Sequence, residues 1–248
     1  MNSIDLNCDM GEGLDNDALL MPFISSANIA CGYHAGDENI MQCTIDLCLQ
    51  HSVSIGAHPG FADKTNFGRT EMQLTLDEVY QLVADQIHLL QKIANKRGAK
   101  LHHVKPHGAL YNMAAKDPLL ANTIAKAVHD IDPRLIFFGL SGSYLISEAE
   151  KLGLQTASEV FADRTYLDDG SLTPRMQTNA MIETAGGSVE QVLQMVKEKT
   201  VTSINHTKIT IKAETICLHG DGKHALQFAK TIYDVLQQNQ IQIKPLTN

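Results

Sequence analysis

The stretch His102-His103-Val104-Lys105-Pro106-His107-Gly108 decides the fold, because a short β-favouring run ends here in ionisable side chains and a glycine. A segment of helical period precedes it at about Leu76–Lys96, where apolar residues recur at three- and four-residue spacing. Thr75 and Glu78 match a capping box at the start of that segment, and Gly98 marks its end. A helix that leads into a short strand is one unit of a β/α repeat.

The same alternation of short apolar runs and helical segments extends along the whole chain. It is typical of parallel strands that are joined by helices. With 248 residues and no low-complexity linker, residues 1–248 are expected to form one α/β domain, a β/α barrel of seven or eight units. We predict strands at Ser3–Asn7, Ala27–Ala30, Val53–Gly56, His102–Lys105, Leu135–Leu140, Gln155–Val160 and Thr215–Leu218.

Local signals predict three further helices and a hairpin. The ranges Asp37–Leu49, Asp117–Val128 and Ser188–Lys197 each begin with a residue that favours the N-terminus of a helix. The range Val201–Lys212 alternates polar and apolar residues around a turn. This pattern predicts a β-hairpin on the outside of the barrel.

The charge balance argues against a nucleic-acid partner. Asp and Glu outnumber Lys and Arg by 28 to 20, so the formal net charge of −8 repels a phosphate backbone. The longest apolar runs, such as Leu135–Leu140, are much shorter than the roughly 20 residues that cross a bilayer. Asp5 and Asp9 stand where a signal peptide would carry a basic and then an apolar region, so we expect a cytoplasmic protein without a membrane partner.

The five cysteines are odd in number and contain no C-x-x-C pair. This argues against a disulfide framework or a zinc ribbon. We expect most of them to be small buried residues. Cys8 and Cys31 lie inside polar motifs, where a nucleophilic role stays open.

Ionisable side chains follow nearly every predicted strand, at the end where a β/α barrel places its reactive groups. Four histidines, His34, His58, His107 and His219, occur at such positions. A single histidine after a strand is usually structural, but four at one end of a barrel indicate a functional site. Within strand four, one residue of His102-His103 is expected to face the barrel interior and the other the helices.

Two long loops supply candidate anion-binding arginines. The loop through Asn66–Arg69 and the segment Asp168–Arg175 exceed ordinary barrel connections, and such loops are often lids or binding loops. Arg69 and Arg175 can each clamp a carboxylate. A solvated surface position explains Arg175 equally well.

Two kinds of chemistry fit these side chains. Asp9, His58 and His107 come from three strand ends and can form a metal site with open positions that activates water. Alternatively, Asp9 or Glu159 polarises an imidazole for general acid/base catalysis without a metal. The sequence contains no H-E-x-x-H motif, which would favour the metal site. It also contains no Walker-type glycine loop, which would indicate ATP binding.

A set of motifs resembles the LamB/YcsF family, and the resemblance covers essentially the whole chain. The motifs, in order, are Asp5–Glu12 (DLNCDMGE), Asn28–Asp37 (NIACGYHAGD), Gly56–Gly60 (GAHPG), Val104–Tyr111 (VKPHGALY), Glu159–Arg164 (EVFADR) and Cys217–Asp221 (CLHGD).

Members of that family are A subunits of prokaryotic ATP-dependent 5-oxoprolinase. The resemblance implies a distorted seven-stranded β/α barrel, TIM-like and similar to glycoside hydrolases and deacetylases. It also implies the opening of 5-oxo-L-proline to L-glutamate, with ATP and Mg²⁺, in a complex with B and C subunits. Whether identical copies associate is left open.

Such a reaction needs a base for water, groups that bind carboxylate and phosphoryl oxygens, and a proton donor for the ring nitrogen. The alternatives are a metal-dependent deacetylase or carbohydrate hydrolase that acts alone, and a non-catalytic binding subunit. We predict that catalysis rests on Asp9, His58, Lys105, His107 and Glu159. The predicted substrate contacts are Asn7, Glu12, His34, Asp37, Arg69, Arg164, Arg175, His219 and Asp221.

Overall fold

The computed structural model describes residues 3–218, 220 and 225–247. Seven parallel strands form a barrel in the order β1-β2-β3-β4-β5-β6-β9, and pairing of β9 with β1 closes it. The predicted seven-stranded α/β barrel is thereby confirmed. The strands within the described residues are β1 (Ser3–Met10), β2 (Ser26–Ala30), β3 (Ser54–His58), β4 (His103–Val104), β5 (Ile136–Leu140), β6 (Thr156–Phe161), β7 (Thr200–Thr202), β8 (Lys208–Thr210), β9 (Thr215–Leu218) and β10 (Gln242–Ile243).

Helices surround the barrel, and most of them join consecutive strands as expected for β/α units. Short 3₁₀ turns lie at Met21–Phe23 and Lys64–Asn66, and a π-helical turn at Gln194–Glu198 continues α7. In the part of the chain that is described, the α-helices are α1 (Asp17–Leu20), α2 (Glu38–His51), α3 (Leu76–Lys96), α4 (Gly108–Ala114), α5 (Pro118–Ile131), α6 (Tyr144–Lys151), α7 (Ala185–Leu193) and α8 (Ala225–Gln238).

The sequence signals for helix starts were correct for three helices. The Thr75 hydroxyl and the Glu78 carboxylate form the predicted capping box of α3. The Asp37 carboxylate accepts a hydrogen bond from the Ile40 amide at 2.9 Å, which caps α2. Asp117 caps α5 in the same way, so these three helix starts were determined by local sequence.

The predicted start of α7 at Ser188 is wrong. The helix begins at Ala185, because Thr184 caps it by accepting a hydrogen bond from the Gly187 amide at 3.2 Å. Ser188 lies buried in the first turn, and its hydroxyl donates to the Ala162 carbonyl oxygen at 2.8 Å. Two adjacent glycines obscure this start in the sequence, since glycine is a poor helix former.

Two pairings lie outside the barrel. Strands β7 and β8 pair antiparallel and form the hairpin predicted for this region, with His206 in its turn at a φ of 61°. Strand β10 has no counterpart in the sequence-based prediction. It pairs in parallel with Ser3 and Ile4, the first two residues of β1.

The barrel interior is polar. Along β1, Leu6 and Cys8 face the surrounding apolar core, whereas Asp5 and Asn7 face inward. Hydroxyl groups of Ser25, Ser26 and Thr215 donate to the Asp5 carboxylate, whose pKa is raised by burial. Hydrogen-bonded layers therefore fill the barrel and lead toward the carboxyl ends of the strands.

The two histidines of β4 separate as expected. His103 is fully buried in the interior, where its Nε2 lies 2.9 Å from Asn28 Oδ1 and its ring stacks on Phe138. His102 is half-buried and donates to the Leu246 carbonyl oxygen at 2.8 Å. Both therefore have structural partners. No helix among the described residues has the length and apolar character needed to span a membrane.

Candidate active site

A cavity of about 680 Å³ opens at the carboxyl ends of the barrel strands. Its volume lies within the range of pockets that hold small organic molecules. Two predicted site residues, His219 and Asp221, lie outside the described residues and stay predictions. Eight other predicted residues line the cavity: Asp9, Glu12, His58, Arg69, Lys105, His107, Arg164 and Arg175.

Lys105 extends from the end of β4 into the barrel, where it is buried between two carboxylates. Its Nζ lies 2.8 Å from Asp9 Oδ1 and 2.8 Å from Glu159 Oε1, and it also donates to Asn7 Oδ1 at 3.2 Å. Burial alone would lower the pKa of this ammonium, but the attraction of Asp9 and Glu159 raises it well above its ordinary value. Lys105 is therefore a cation that compensates two buried carboxylates.

Glu159, near the end of β6, is held by donors on both of its oxygens. Asn7 Nδ2 donates to Oε1 at 3.0 Å, and the Tyr111 hydroxyl donates to Oε2 at 2.7 Å. Burial, followed by the charge of Glu159, raises the pKa of Tyr111 well above its ordinary value, so the hydroxyl keeps its proton. These contacts hold the carboxylate in one orientation, facing Lys105.

His58, at the end of β3, and His107, directly before α4, form an imidazole pair beside Asp9. His58 Nδ1 donates to the Lys105 carbonyl oxygen at 2.7 Å, and His107 Nε2 donates to the Phe67 carbonyl oxygen at 2.8 Å. These partners assign the ring protons, because a carbonyl oxygen only accepts. The other two nitrogens, His58 Nε2 and His107 Nδ1, lie 2.9 Å apart, and His58 Nε2 is 3.3 Å from Asp9 Oδ2.

His34, from the loop after β2, stacks on His107 with the ring centroids 3.8 Å apart and the planes at 8°. Burial, followed by the neighbouring His58, lowers the pKa of His34 to about 3. Burial and then His58 also lower the pKa of His107 well below its ordinary value. Both imidazoles are therefore neutral at pH 7.

Four side chains converge at this point: Glu12, His34, His58 and His107 each offer one donor atom within 4.8 Å of the others. Glu12 Oε1 lies 3.7 Å from His34 Nε2 and 3.8 Å from His107 Nδ1. The metal set expected from the sequence contained Asp9 with the same two histidines, His58 and His107. In the structure Asp9 Oδ1 accepts from Lys105 and Asn28, and Glu12 and His34 stand beside the pair.

The loop after β3 forms one side of the site. Gly68 has a φ of +64°, and a Cβ there would lie 2.8 Å from His34 Cβ and 2.9 Å from His107 Cδ2. Only glycine therefore fits both the backbone and the space. Gln86 on α3 anchors the start of the loop, because it accepts from the Gly60 amide at 3.0 Å and donates to the Gly60 carbonyl at 2.9 Å.

The predicted arginines occupy different environments. Arg69 and Arg175 are exposed at the cavity, and the Arg69 guanidinium lies 4.9 Å from the centre of the Phe67 ring. Arg164 is buried and donates to the Thr173 carbonyl oxygen at 2.6 Å, which fastens the loop after β6. Burial, followed by Arg175, lowers the pKa of Arg164 to about 10, so it stays cationic. Positive charge therefore faces the cavity from two loops.

Asp37 and Asn7 have structural partners instead of positions in the cavity. The Asp37 carboxylate is exposed and caps α2. Asn7 is buried below Lys105, where its amide also donates to Thr215 Oγ1 at 2.7 Å. The structure thus brings most of the predicted site residues together at the cavity, but it places Asp37 at the start of α2 and Asn7 inside the barrel.

The cysteines behave as buried residues. Cys8, Cys31, Cys48 and Cys217 are buried, whereas Cys43 is exposed. Burial raises the pKa of the Cys31 thiol to about 12 and that of Cys8 well above its ordinary value. Protonated thiols are poor nucleophiles, so the geometry favours a packing role for Cys8 and Cys31.

Three residues of the site were missed by the sequence reasoning. Tyr111 orients Glu159, Asn28 donates to Asp9 Oδ1 at 2.8 Å, and Gln86 holds Gly60. A signal existed for Gln86, since it interrupts the apolar stripe of α3 with a polar side chain. Asn28 and Tyr111 lie within the quoted motifs, but nothing in the sequence distinguishes them from other residues of β2 and α4.

Comparison with known proteins gives consistent matches over nearly the whole chain. The model of the LamB/YcsF family matches residues 4–248. The A subunit of 5-oxoprolinase from Shouchella clausii (strain KSM-K16) is 53% identical over 249 residues, which cover 98% of each chain. That of Staphylococcus aureus (strain Newman) is 50% identical over 248 residues, 98% of this chain and 99% of that one.

A solved structure shows the same fold. The lactam utilization protein of Thermus thermophilus superposes with a TM-score of 0.93 at 37% identity, over 98% of this chain and 100% of that one. The motifs quoted above, the barrel and these matches agree. The chain belongs to the LamB/YcsF family.

Proposed function

We propose that this chain is the A subunit of an ATP-dependent 5-oxoprolinase, which opens the lactam ring of 5-oxo-L-proline to give L-glutamate. The observation that carries the proposal is the similarity, over 98% of the chain, to relatives named as the A subunit of 5-oxoprolinase. The name of a subunit implies partners, so the proposal includes B and C subunits. It also includes ATP with Mg²⁺ as co-substrate and a cytoplasmic location.

The chemistry of a lactam explains why ATP is needed. The lactam carbon is a poor electrophile because the ring amide is stabilised by resonance. Transfer of the terminal phosphoryl group of ATP to the lactam oxygen activates that carbon for addition of water. The C–N bond then breaks as the nitrogen takes a proton, and a second water releases phosphate from the resulting acyl phosphate. The catalyst must therefore bind anions and move protons.

The residues around the cavity match these needs. Asp9, His58 and His107 lie where a water molecule can give up a proton to an imidazole or a carboxylate. Arg69 and Arg175 supply positive charge at the exposed edge of the cavity for carboxylate and phosphoryl oxygens.

Two further predicted catalytic residues, Lys105 and Glu159, are buried in the barrel beneath the cavity and act through Asp9. Lys105 and Glu159 hold Asp9 in place through the buried contacts of the ammonium. We assign Lys105 to positioning Asp9 and stabilising its charge, and Glu159 to holding Lys105. The role of proton donor to the ring nitrogen is assigned to His219, which lies outside the described residues.

The test is 5-oxoproline-dependent release of ADP by the chain with and without the candidate partner subunits. We expect turnover only in the reconstituted complex. In that complex, His58→Gln should lower turnover by roughly 10²- to 10⁴-fold, the range for loss of a general acid or base. His88→Gln, at an exposed position on α3, is the matched control and should leave turnover unchanged.

Other outcomes favour the alternatives. Strong turnover by the isolated chain would contradict the need for partners. Hydrolysis of an acetylated sugar by the chain alone would favour a deacetylase. Full turnover of the His58→Gln complex would favour a non-catalytic binding role for this chain.

A further inference from the structure

Two imidazoles in the site face each other through the nitrogens that make no hydrogen bond to the backbone. The Lys105 carbonyl accepts the proton of His58 Nδ1, and the Phe67 carbonyl accepts that of His107 Nε2. When both rings carry only these protons, the facing atoms His58 Nε2 and His107 Nδ1 both carry lone pairs, 2.9 Å apart. Two lone pairs at this distance repel each other unless something positive lies beside them.

His34 adds a second observation of the same kind. It is 1% exposed, and neither of its ring nitrogens has a hydrogen-bond partner among residues 3–218, 220 and 225–247. Buried polar atoms of this kind nearly always have a partner in a folded protein, and a bound ion is one explanation. Its Nε2 points toward Glu12, with 3.7 Å between Nε2 and Oε1.

We propose that Glu12, His34, His58 and His107 form a site for one divalent metal ion of the zinc class, on the wall of the cavity. Their donor atoms lie within 4.8 Å of one another. Ligands at about 2.0 to 2.2 Å from a common ion lie at most about 4.4 Å apart, so a small shift of the side chains brings this set onto one ion. An ion between them would remove the repulsion of the facing lone pairs and give the buried His34 ring a partner.

The chemistry of the donors selects the kind of ion. Three imidazole nitrogens and one carboxylate oxygen suit zinc and similar transition metals, whereas Mg²⁺ and Ca²⁺ prefer oxygen ligands. The backbone carbonyls of Lys105 and Phe67 hold two of the rings by their far nitrogens, as outer partners of metal-bound histidines commonly do.

The position of the site indicates what such an ion does. Glu12, His58 and His107 line the cavity, so an ion held by them is accessible to a ligand in the cavity. A small molecule with a carbonyl oxygen, or a water molecule, fits that position. The inference concerns the same cavity as the proposed lactam opening and rests on that function only for the identity of the ligand. With the ion bound, His58 and His107 hold it, and Asp9, whose Oδ2 lies 3.3 Å from His58 Nε2, is the group that takes a proton from water.

The test measures metal binding without substrate or partner subunits. The full chain is stripped with a chelator and titrated with ZnCl₂ by calorimetry, and with Co²⁺ by visible absorption, which reports nitrogen and oxygen coordination. We expect one ion per chain. Mg²⁺ at about 1 mM should not displace it, since it dehydrates reluctantly and prefers oxygen ligands.

Variants locate the ion. His34→Gln should weaken zinc affinity by more than about a hundredfold, beyond the effect of losing an outer-shell partner. Glu12→Gln, which keeps the size of a side chain that is 4% exposed, should weaken it at least about tenfold. This variant keeps the test decisive if the histidine variant does not fold. His88→Gln, at an exposed position on α3, should bind as the parent does.

Several results would overturn the inference. One is the absence of zinc binding in the folded parent chain. Another is equal affinity in the Glu12→Gln and His88→Gln chains. A third is an NMR spectrum of the imidazole nitrogens in which a proton shared by His58 and His107 persists when zinc is added. If the chain does not bind zinc but the reconstituted complex releases ADP with 5-oxoproline, only this inference is overturned. If the chain binds zinc but the complex releases no ADP, only the proposed function is overturned.

Discussion

At the scale of the residue, Lys105 is the cation between the carboxylates of Asp9 and Glu159. We predict that Lys105→Met destabilises the chain by about 3 to 5 kcal/mol, because it leaves buried carboxylates without a counter-charge. The apparent melting temperature should fall by roughly 6 to 20 °C for a domain of this size. Thermal and denaturant unfolding of the isolated chain measure both quantities.

The control for this prediction removes one carboxylate charge as well. The double variant Lys105→Met with Glu159→Gln should recover at least about 1 kcal/mol, since the two positions interact directly. The amide that replaces the carboxylate can keep the hydrogen bond from Asn7 and donate to the Tyr111 hydroxyl, which can accept. A melting curve of Lys105→Met that matches the parent would show that the ion pairs contribute nothing to stability.

At the scale of the element, the loop after β3 depends on Gly68. We predict that Gly68→Ala displaces His34 or His107 and lowers turnover of the reconstituted complex at least tenfold, a loss of about 1.4 kcal/mol or more in transition-state stabilisation. A Cβ at Gly68 would lie under 3 Å from atoms of both histidines, and the packed site cannot absorb this without movement.

Gly98→Ala is the matched control, because Gly98 also has a positive φ, of +72°, but no atom lies within 4 Å of a Cβ built there. Both variants carry the strain of a left-handed alanine, about 1 to 2 kcal/mol. Only Gly68→Ala should also lose turnover. If the two variants lost stability and turnover equally, the loop would have no steric role in the site.

At the scale of the whole molecule, the C-terminal segment ties the end of the chain to the start of the barrel. Strand β10 pairs with β1, the Lys244 amide donates to the Ile4 carbonyl oxygen at 3.0 Å, and Ile241 is buried. We predict that removal of residues 241–248 lowers the free energy of unfolding by about 2 to 4 kcal/mol. Burial of one large aliphatic side chain accounts for about 1.5 to 3 kcal/mol of this, and denaturant titration measures the total.

A shorter truncation distinguishes the contribution of β10 to stability from that of the last two residues. Removal of residues 247–248 keeps β10 and the hydrogen bond from His102 to Leu246, and it should cost less than about 1 kcal/mol, the net value of a single hydrogen bond. Equal stability of both truncated chains would contradict a role for β10 in the fold.

The sequence by itself determined the seven barrel strands, several helix starts and the end of the barrel that carries the chemistry. Short apolar runs located the seven barrel strands, and the spacing of apolar residues located α3. Capping residues such as Thr75, Asp37 and Asp117 located helix starts. These signals depend on neighbours within a few positions. Parallel strands bring their carboxyl ends together whatever the details of the loops. Asp9, His58, Lys105 and His107 therefore could be placed at one cavity.

Only the tertiary structure decided which of these groups touch. Asn7 and Glu159 are 152 positions apart, and Asp9 and Lys105 are 96 apart, so their contact depends on the register of strands that pair around the closed barrel. A slip of one residue would turn each side chain to the other face of the sheet. For this reason the sequence could not assign Asp9 to Lys105, bring Glu12 and His34 beside the histidine pair, or reveal that β10 joins β1.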